Sequence, residues 1–117
     1  MKKVYYLSTC STCKRIIKEL NLPQDFEMQD IKTEKICENK LNEMISLAGS
    51  AEAIFSKRSM KYRAMGLHER ELEDYEMNAL ILDEYTFLKR PIFIIDNDIF
   101  VGNSKKTVEA VKEKLNS

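Results

Sequence analysis

The stretch Val4-Tyr5-Tyr6-Leu7-Ser8-Thr9-Cys10-Ser11-Thr12-Cys13-Lys14-Arg15-Ile16-Ile17-Lys18-Glu19-Leu20 decides how the chain is read. Val4-Tyr5-Tyr6-Leu7 is apolar and suits a pleated, buried surface, so residues 3–7 read as a buried strand. From Cys13 onward, Ile16, Ile17 and Leu20 recur at the spacing of one helix face. Asn21-Leu22-Pro23 stops that helix, because proline cannot continue it. A Cys-x-x-Cys pair therefore lies at a strand-to-helix junction. The start of a helix carries partial positive charge, which favours a thiolate over a thiol. The two sulfurs are not equivalent there. Cys13 shares the stripe of Ile16, Ile17 and Leu20 and is expected to be partly buried. Cys10 precedes the helix, where its sulfur faces solvent and the first free backbone N–H groups. Cys10 is the expected attacking thiolate and Cys13 the resolving thiol, and Lys14 and Arg15 add positive charge in the first turn.

Outward from this segment, Phe26-Glu27-Met28-Gln29-Asp30-Ile31 alternates apolar and polar residues and reads as a half-buried second strand. A long helical stretch follows, with Thr33 as its expected N-cap, Cys37, Leu41, Met44, Ile45 and Ala48 on one face, and Gly49 at its end. Residues 51–67 read as short, irregular helix with a basic run, Lys57-Arg58-Ser59-Met60-Lys61-Tyr62-Arg63. Leu72, Tyr75, Ala79 and Leu82 mark another helix running toward Leu88. Ile92-Phe93-Ile94-Ile95, the turn Asp96-Asn97-Asp98 and Ile99-Phe100-Val101 signal a hairpin, and Ser104 caps a last helix with Val108, Val111 and Leu115 facing inward. The order is βαβ, a helical insertion, then ββα. Those are the two halves of an α/β thioredoxin/glutaredoxin-like fold, with residues 1–32 and 89–117 as the core of a single 1–117 domain and 33–88 as the insertion between the second and third strands.

A chain of 117 residues is long enough for one hydrophobic core. Nineteen basic and nineteen acidic residues cancel to a net charge of +0, which leaves no global footprint for nucleic acid or an anionic membrane surface. Direct nucleic-acid binding is not expected, and the basic run at 57–63 reads first as a solvated helix face. No stretch approaches the ~20 apolar residues of a membrane span, and the apolar part of the N-terminus is too short for a signal peptide. The expected compartment is the cytoplasm. In that reducing setting a Cys-x-x-Cys pair is catalytic or metal-binding more often than a permanent disulfide. Structural zinc wants four ligands, usually as two close pairs. Only Cys37 and His68 remain to supply them, without partner spacing, so no metal is expected. Cys37 is assigned to core packing, and His68 to the surface at a helix start. Two ordinary cysteines near a helix start remain the bland alternative.

In order and spacing, several segments resemble the arsenate reductase (ArsC)-like family, which includes the Spx regulators, over nearly the whole chain. The residues that carry the resemblance are the 5–20 segment with its Cys-x-x-Cys and following basic residue, Ser56-Lys57-Arg58-Ser59, Tyr62-Arg63-Ala64-Met65-Gly66-Leu67, Lys89-Arg90-Pro91-Ile92, and Val101-Gly102 with the polar run after it. The resemblance implies the thioredoxin-like fold with a helical insertion and a cis peptide before Pro91. It also implies Pro91 beside Cys10, and the Arg90 guanidinium near the thiolate as an oxyanion fork. Arsenate reductases of the family surround their catalytic cysteine with three arginines; here the matching positions hold Ser56, Arg90 and Gly102. Two fewer charge-assisted hydrogen bonds, at roughly 1.5–3 kcal/mol each, weaken an oxyanion on the order of a hundredfold to ten-thousandfold. Lys14, Arg58 and Pro91 are the expected substrate- or oxyanion-binding residues beside Arg90, and Lys57 and Lys105 are further cations to stand in for the two missing arginines.

The resemblance implies two functions. One is a thiol–disulfide oxidoreductase, arsenate reductase-like, monomeric and without a bound cofactor, whose Cys10–Cys13 disulfide is reduced by glutathione with glutaredoxin, or by thioredoxin. The other is an Spx-like redox-switched regulator that binds the C-terminal domain of the RNA polymerase α subunit. Gly49-Ser50 falls near the glycine Spx uses for that contact, with a spacing to Arg58 one residue longer.

Overall fold

A computed structural model describes all residues from Met1 to Ser117. The chain divides into two compact units, one made of Met1–Glu34 with Arg90–Ser117 and the other of Lys35–Lys89.

The first unit holds β1 (Lys2–Tyr6), α1 (Ser11–Leu20), β2 (Glu27–Asp30), β3 (Ile92–Ile95), β4 (Asp98–Val101) and α5 (Lys105–Leu115); α2 (Glu38–Ala48), α3 (Met60–Ala64) and α4 (Asp74–Asp83) lie in the second unit. Its four-stranded sheet has the order β2-β1-β3-β4, with β1 parallel to β2 and antiparallel to β3, and β3 antiparallel to β4. This is the βαβ-plus-ββα sheet of the thioredoxin-like fold. Strand alternation splits β1 between two faces. Val4 pairs with Phe93, and both join Ile16, Leu20, Phe26, Ile95, Val108 and Val111 in one core. α1 and α5 therefore cover that face, each with one apolar stripe. Phe26 meets Phe93 edge to face at 6.3 Å. The opposite face carries Lys3, Tyr5, Ile92 and Ile94, all buried. Lys3 keeps its charge there because its ammonium reaches Glu27 at 2.8 Å and lies 4.5 Å above the Tyr5 ring.

The punctuation of this unit follows local chemistry. α1 ends at Asn21, which adopts the left-handed region at φ 49° and donates its N–H to the Lys18 carbonyl. Ser104 caps α5 as expected, its hydroxyl accepting the Thr107 N–H at 3.1 Å. β2 forms where its alternation placed it, but the faces differ from expectation. Met28 is 46% exposed while Gln29 is only 5% exposed. β2 is an edge strand, so its α-covered face is open at Met28, and Gln29 is tolerated inside because its Nε2 donates to the Glu34 carbonyl.

The second unit contains α2 (Glu38–Ala48), α3 (Met60–Ala64) and α4 (Asp74–Asp83), with single 3-10 turns at Leu67–Glu69 and Tyr85–Phe87. Its middle is tied to its C-terminal end at Phe55 and Leu88, which form a β-bridge flanked by Ser56 N–H to Phe87 O and Lys89 N–H to Ile54 O. Phe55 stacks on Phe87 at 5.4 Å and meets Tyr62 edge to face. Gly49 ends α2 at φ 96°, a conformation side chains disfavour. Three expectations are corrected here. Thr33 does not cap α2: its hydroxyl and the Glu34 N–H both bond the Asp30 carbonyl, closing a turn, and the helix starts at Glu38 with Cys37 at the N-cap. Cys37 is consequently exposed, and Ile36 takes the buried place. α4 starts at a capping box between Glu73 and Glu76, which turns Met77 and Ile81 inward and leaves Tyr75 72% exposed. The helix also ends at Asp83, before the 3-10 turn, well short of Leu88.

The buried Phe93 is the anchor of the α-covered core. Phe93→Ala is expected to cost about 3–5 kcal/mol of unfolding free energy in urea titrations, whereas Met28→Ala at the exposed edge stays within about 0.5 kcal/mol.

Candidate active site

The β1–α1 junction is a tight turn. Cys10 N–H donates to Leu7 O at 3.0 Å, and Cys10 O accepts the first helical bond from Lys14 N–H at 3.1 Å. Cys10 is thus the N-cap of α1, in extended conformation and without capping through its own side chain, and no acidic residue occupies the first turn. The free N–H groups of that turn are left for the sulfur. Cys10 is half-buried; Cys13, one turn along the core stripe, is completely buried.

The electrostatics separate the two thiols further. Burial pushes the Cys10 thiol up, but hydrogen bonds from the Cys13 backbone N–H, the Cys13 thiol and the Thr12 backbone N–H, with the Arg90 charge, hold it below the ordinary cysteine value. Burial pushes Cys13 up to about 11; the Leu7 backbone opposes this, and the charge and hydrogen bonding of Cys10 add to it. One thiol is thus held below the ordinary cysteine value and its neighbour above it.

Arg90 is half-buried and joined to Pro91 by a cis peptide bond, the isomer the resemblance implied. Pro91 is buried, and its carbonyl accepts the Gly102 N–H at 2.9 Å. Cys10, Cys13, Lys14, Arg90 and Pro91 all belong to the unit of Met1–Glu34 and Arg90–Ser117. Lys14 is exposed, and the cation that acts on Cys10 is Arg90. Arg58 lies in the Lys35–Lys89 unit, exposed, with its backbone N–H on Ser56 Oγ at 3.3 Å. Ser56 is itself buried, its hydroxyl turned to local backbone. Gly102 has φ 96° and open space where a Cβ would stand.

Sequence reasoning missed Ser8, Thr12 and Asp30. Thr12 acts through backbone alone and leaves no signal in residue type. Ser8 donates both its N–H, at 3.3 Å, and its hydroxyl to the Asp30 carboxylate. The available signal was an aspartate directly before a turn, where its side chain commonly bonds backbone N–H groups.

These environments predict chemistry that peptide mapping can follow. Iodoacetamide labels Cys10 with a pH midpoint below the ~8.5 of a free cysteine, and Cys13 resists. Arg90→Ala raises the Cys10 midpoint and Arg90→Lys recovers part of the change. The folded value of Cys13 lies above its unfolded one, so its contribution to stability is complete below ~8.5. That contribution is lost as pH rises toward about 11; the Tm of the reduced protein is expected to fall across that window, and less so in Cys13→Ala.

Comparisons with known proteins converge on this architecture. Among curated proteins, none matches the chain in sequence. Solved structures do. The chain is similar to the arsenate reductase from Vibrio cholerae, with a TM-score of 0.77 and 16% identity, covering 96% of this chain and 95% of that one. An arsenate reductase (ArsC) related protein from Brucella melitensis is similar at a TM-score of 0.71 and 19% identity, over 93% of this chain and 92% of that one. SACOL0876 from Staphylococcus aureus is similar at a TM-score of 0.72 and 24% identity, over 94% and 97%. At these identities the likeness speaks for the fold. The sequence profile of the ArsC family matches residues 5–111, which takes in the Cys10–Cys13 junction, Arg90, Pro91 and most of α5, and the chain belongs to the ArsC family.

Proposed function

We propose that this ArsC-family protein is a thiol–disulfide oxidoreductase in which Cys10 is the nucleophile and Cys13 the resolving thiol. The observation that carries the reading is the opposite treatment of two hydrogen-bonded sulfurs one helical turn apart, Cys10 held low and half-buried, Cys13 pushed up to about 11 and fully buried. The Cys10 thiolate attacks one sulfur of a disulfide, forming a mixed disulfide and expelling the other sulfur as a thiolate. Cys13 gives its proton to a departing thiolate and attacks the Cys10 sulfur. The products are the Cys10–Cys13 disulfide and the released substrate thiol, so the substrate gains two electrons and the protein loses two. An external thiol, glutathione with glutaredoxin or thioredoxin, returns them by the reverse exchange. A reducing compartment such as the cytoplasm suits that cycle. No helix is long and apolar enough to cross a membrane.

Arsenate reduction is the narrower version. The same two thiols would supply the electrons that convert arsenate to arsenite, with one oxygen leaving as water. Arg90 would then be the guanidinium fork for the oxyanion, with the exposed Lys14 on α1 as a second cation and the buried Pro91 shaping the wall. Ser56 and Gly102, at the positions of the family's other two arginines, supply no charge, so we place disulfides and sulfenic acids ahead of arsenate as substrates.

Two measurements test this. Cys13→Ser is expected to form a stable mixed disulfide with a disulfide such as oxidised glutathione, releasing one glutathione thiolate, and Cys10→Ser to form none; the opposite pattern would sink the nucleophile assignment. In single turnover, loss of free thiols on mixing with arsenate, abolished by Cys10→Ser, would make arsenate a substrate. A reversible Cys10–Cys13 disulfide with diamide, no reaction with arsenate, and redox-dependent capture of the RNA polymerase α subunit would instead identify the Spx-like switch.

A further inference from the structure

Two segments end at the mouth of the thiol turn. One is β1, which leads through Leu7, Ser8 and Thr9 to Cys10. The other is β2, whose last residue is Asp30. Their pairing continues past the strand ends, because Ile31 N–H donates to Tyr6 O at 2.9 Å. Asp30 then makes a set of bonds that serve no helix or strand. Its Oδ1 accepts the Ser8 N–H at 3.3 Å and the Lys32 N–H at 3.2 Å, and its Oδ2 accepts the Ser8 hydroxyl. Its carbonyl accepts the Glu34 N–H at 2.8 Å and the Thr33 hydroxyl at 3.4 Å, and the Gln29 side chain closes the same turn on Glu34 O at 2.9 Å. The carboxylate is therefore immobilised from its own side and grips Ser8 by both of that residue's donors. Ser8 lies two residues before Cys10, inside the turn that the Cys10 N–H closes on Leu7.

We propose that Asp30 is a positioning residue for Cys10: through Ser8 it holds the β1–α1 turn in the geometry that aims the Cys10 sulfur at the N–H groups of Thr12 and Cys13. The proposal rests on the reading of Cys10 as the attacking thiolate. Asp30 stays ionised to do this: burial pushes its carboxyl up, but the Ser8 hydroxyl and the Lys32, Ser8 and Thr33 donors outweigh burial and hold it below the usual carboxylate range. The ionisable groups that act on Cys10 are Cys13, one helical turn on, and Arg90, which precedes β3; Lys14 and Arg15 are exposed on α1.

Positioning and bare electrostatics predict opposite signs, which makes the test decisive. Removing a negative charge, by itself, makes a nearby thiolate easier to form and lowers its titration midpoint. Releasing the turn lets the sulfur drift from its N–H donors and raises the midpoint. The measurement is the pH profile of iodoacetamide alkylation at Cys10, read by peptide mass on full-length protein whose fold is verified by circular dichroism. Wild type is expected to titrate below a free cysteine. Asp30→Ala is expected to titrate higher, its rate at pH values below both midpoints falling about tenfold for each unit of midpoint shift. Asp30→Asn, which keeps one acceptor, falls between. Ser8→Ala removes the hydroxyl while leaving the charge in place, and is expected to move the midpoint the same way by less. Ser8→Ala and Asp30→Asn decide the matter if Asp30→Ala does not fold. Added to Asp30→Ala, Ser8→Ala has little further effect, because both act through one link. An unchanged or lowered midpoint in the folded variants overturns the positioning role while leaving Cys10 as nucleophile. A wild-type midpoint at the free-cysteine value overturns the nucleophile reading and the positioning role together.

Discussion

The register of α1 on the sheet is the constraint on which the rest of the site depends. Ile16 and Leu20 must face the core they share with Val4, Phe93, Val108 and Val111, and a helix that buries them also buries Cys13. Each such side chain removed from water contributes roughly 1.5–3 kcal/mol, so the rotation of the helix is strongly held. Three residues earlier the chain is already out of the helix, and Cys10 has no alternative but the N-cap. The contrast between the sulfurs thus follows from packing: one is raised by burial, and the other is lowered by the backbone N–H groups that a helix start leaves unpaired.

Around that fixed point the chain adds what packing alone does not supply. The end of β2 tethers the turn through Asp30 and Ser8, and the segment before β3 brings a guanidinium to the thiolate. Both contributions come from the loop ends of sheet neighbours of β1, the usual place for function on a rigid scaffold. The charge provided there is limited. At Gly102 the left-handed backbone, φ 96°, disfavours any larger side chain.

The Lys35–Lys89 unit obeys different rules. It has no sheet to impose a face on each segment, and its order comes from capping and aromatic contacts. Phe55, Phe87 and Tyr62 form its aromatic cluster, and the bonds around the Phe55–Leu88 bridge tie its middle to its C-terminal end. Periodicity is a weak guide where apolar residues surround a helix or its start is displaced. In α4 the apolar residues Tyr75, Met77, Ala79, Leu80, Ile81 and Leu82 are spread around the axis, and the capping box chooses Met77 and Ile81. Cys37 shows the same limit. Counted from Thr33 it shares a stripe with Leu41 and Met44; once Asp30 closes its turn with Thr33 and Glu34, the helix starts later and Cys37 lies outside it, exposed.

By itself the sequence determined what depends on neighbours along the chain. The strand and helix order, the β3–β4 hairpin, the Ser104 cap, the Gly49 stop and the inequality of Cys10 and Cys13 all follow from periodicity and from short-range backbone bonding. Only the tertiary structure decided what depends on residues brought together across the sheet. Spacing along the chain points to Lys14 and Arg15 as the cations beside Cys10; Arg90, which the family resemblance named, comes from the far end of the chain and acts on Cys10 only through the fold. The Asp30–Ser8 link crosses two parallel strands, and its donors include a backbone N–H that no residue type announces. The outward turn of Met28 and the inward turn of Gln29 likewise depend on β2 lying at an edge and on Glu34 O being within reach of the amide. Local patterns report which face a segment would bury; what meets that face, and what charge arrives with it, is set by packing between segments distant in sequence.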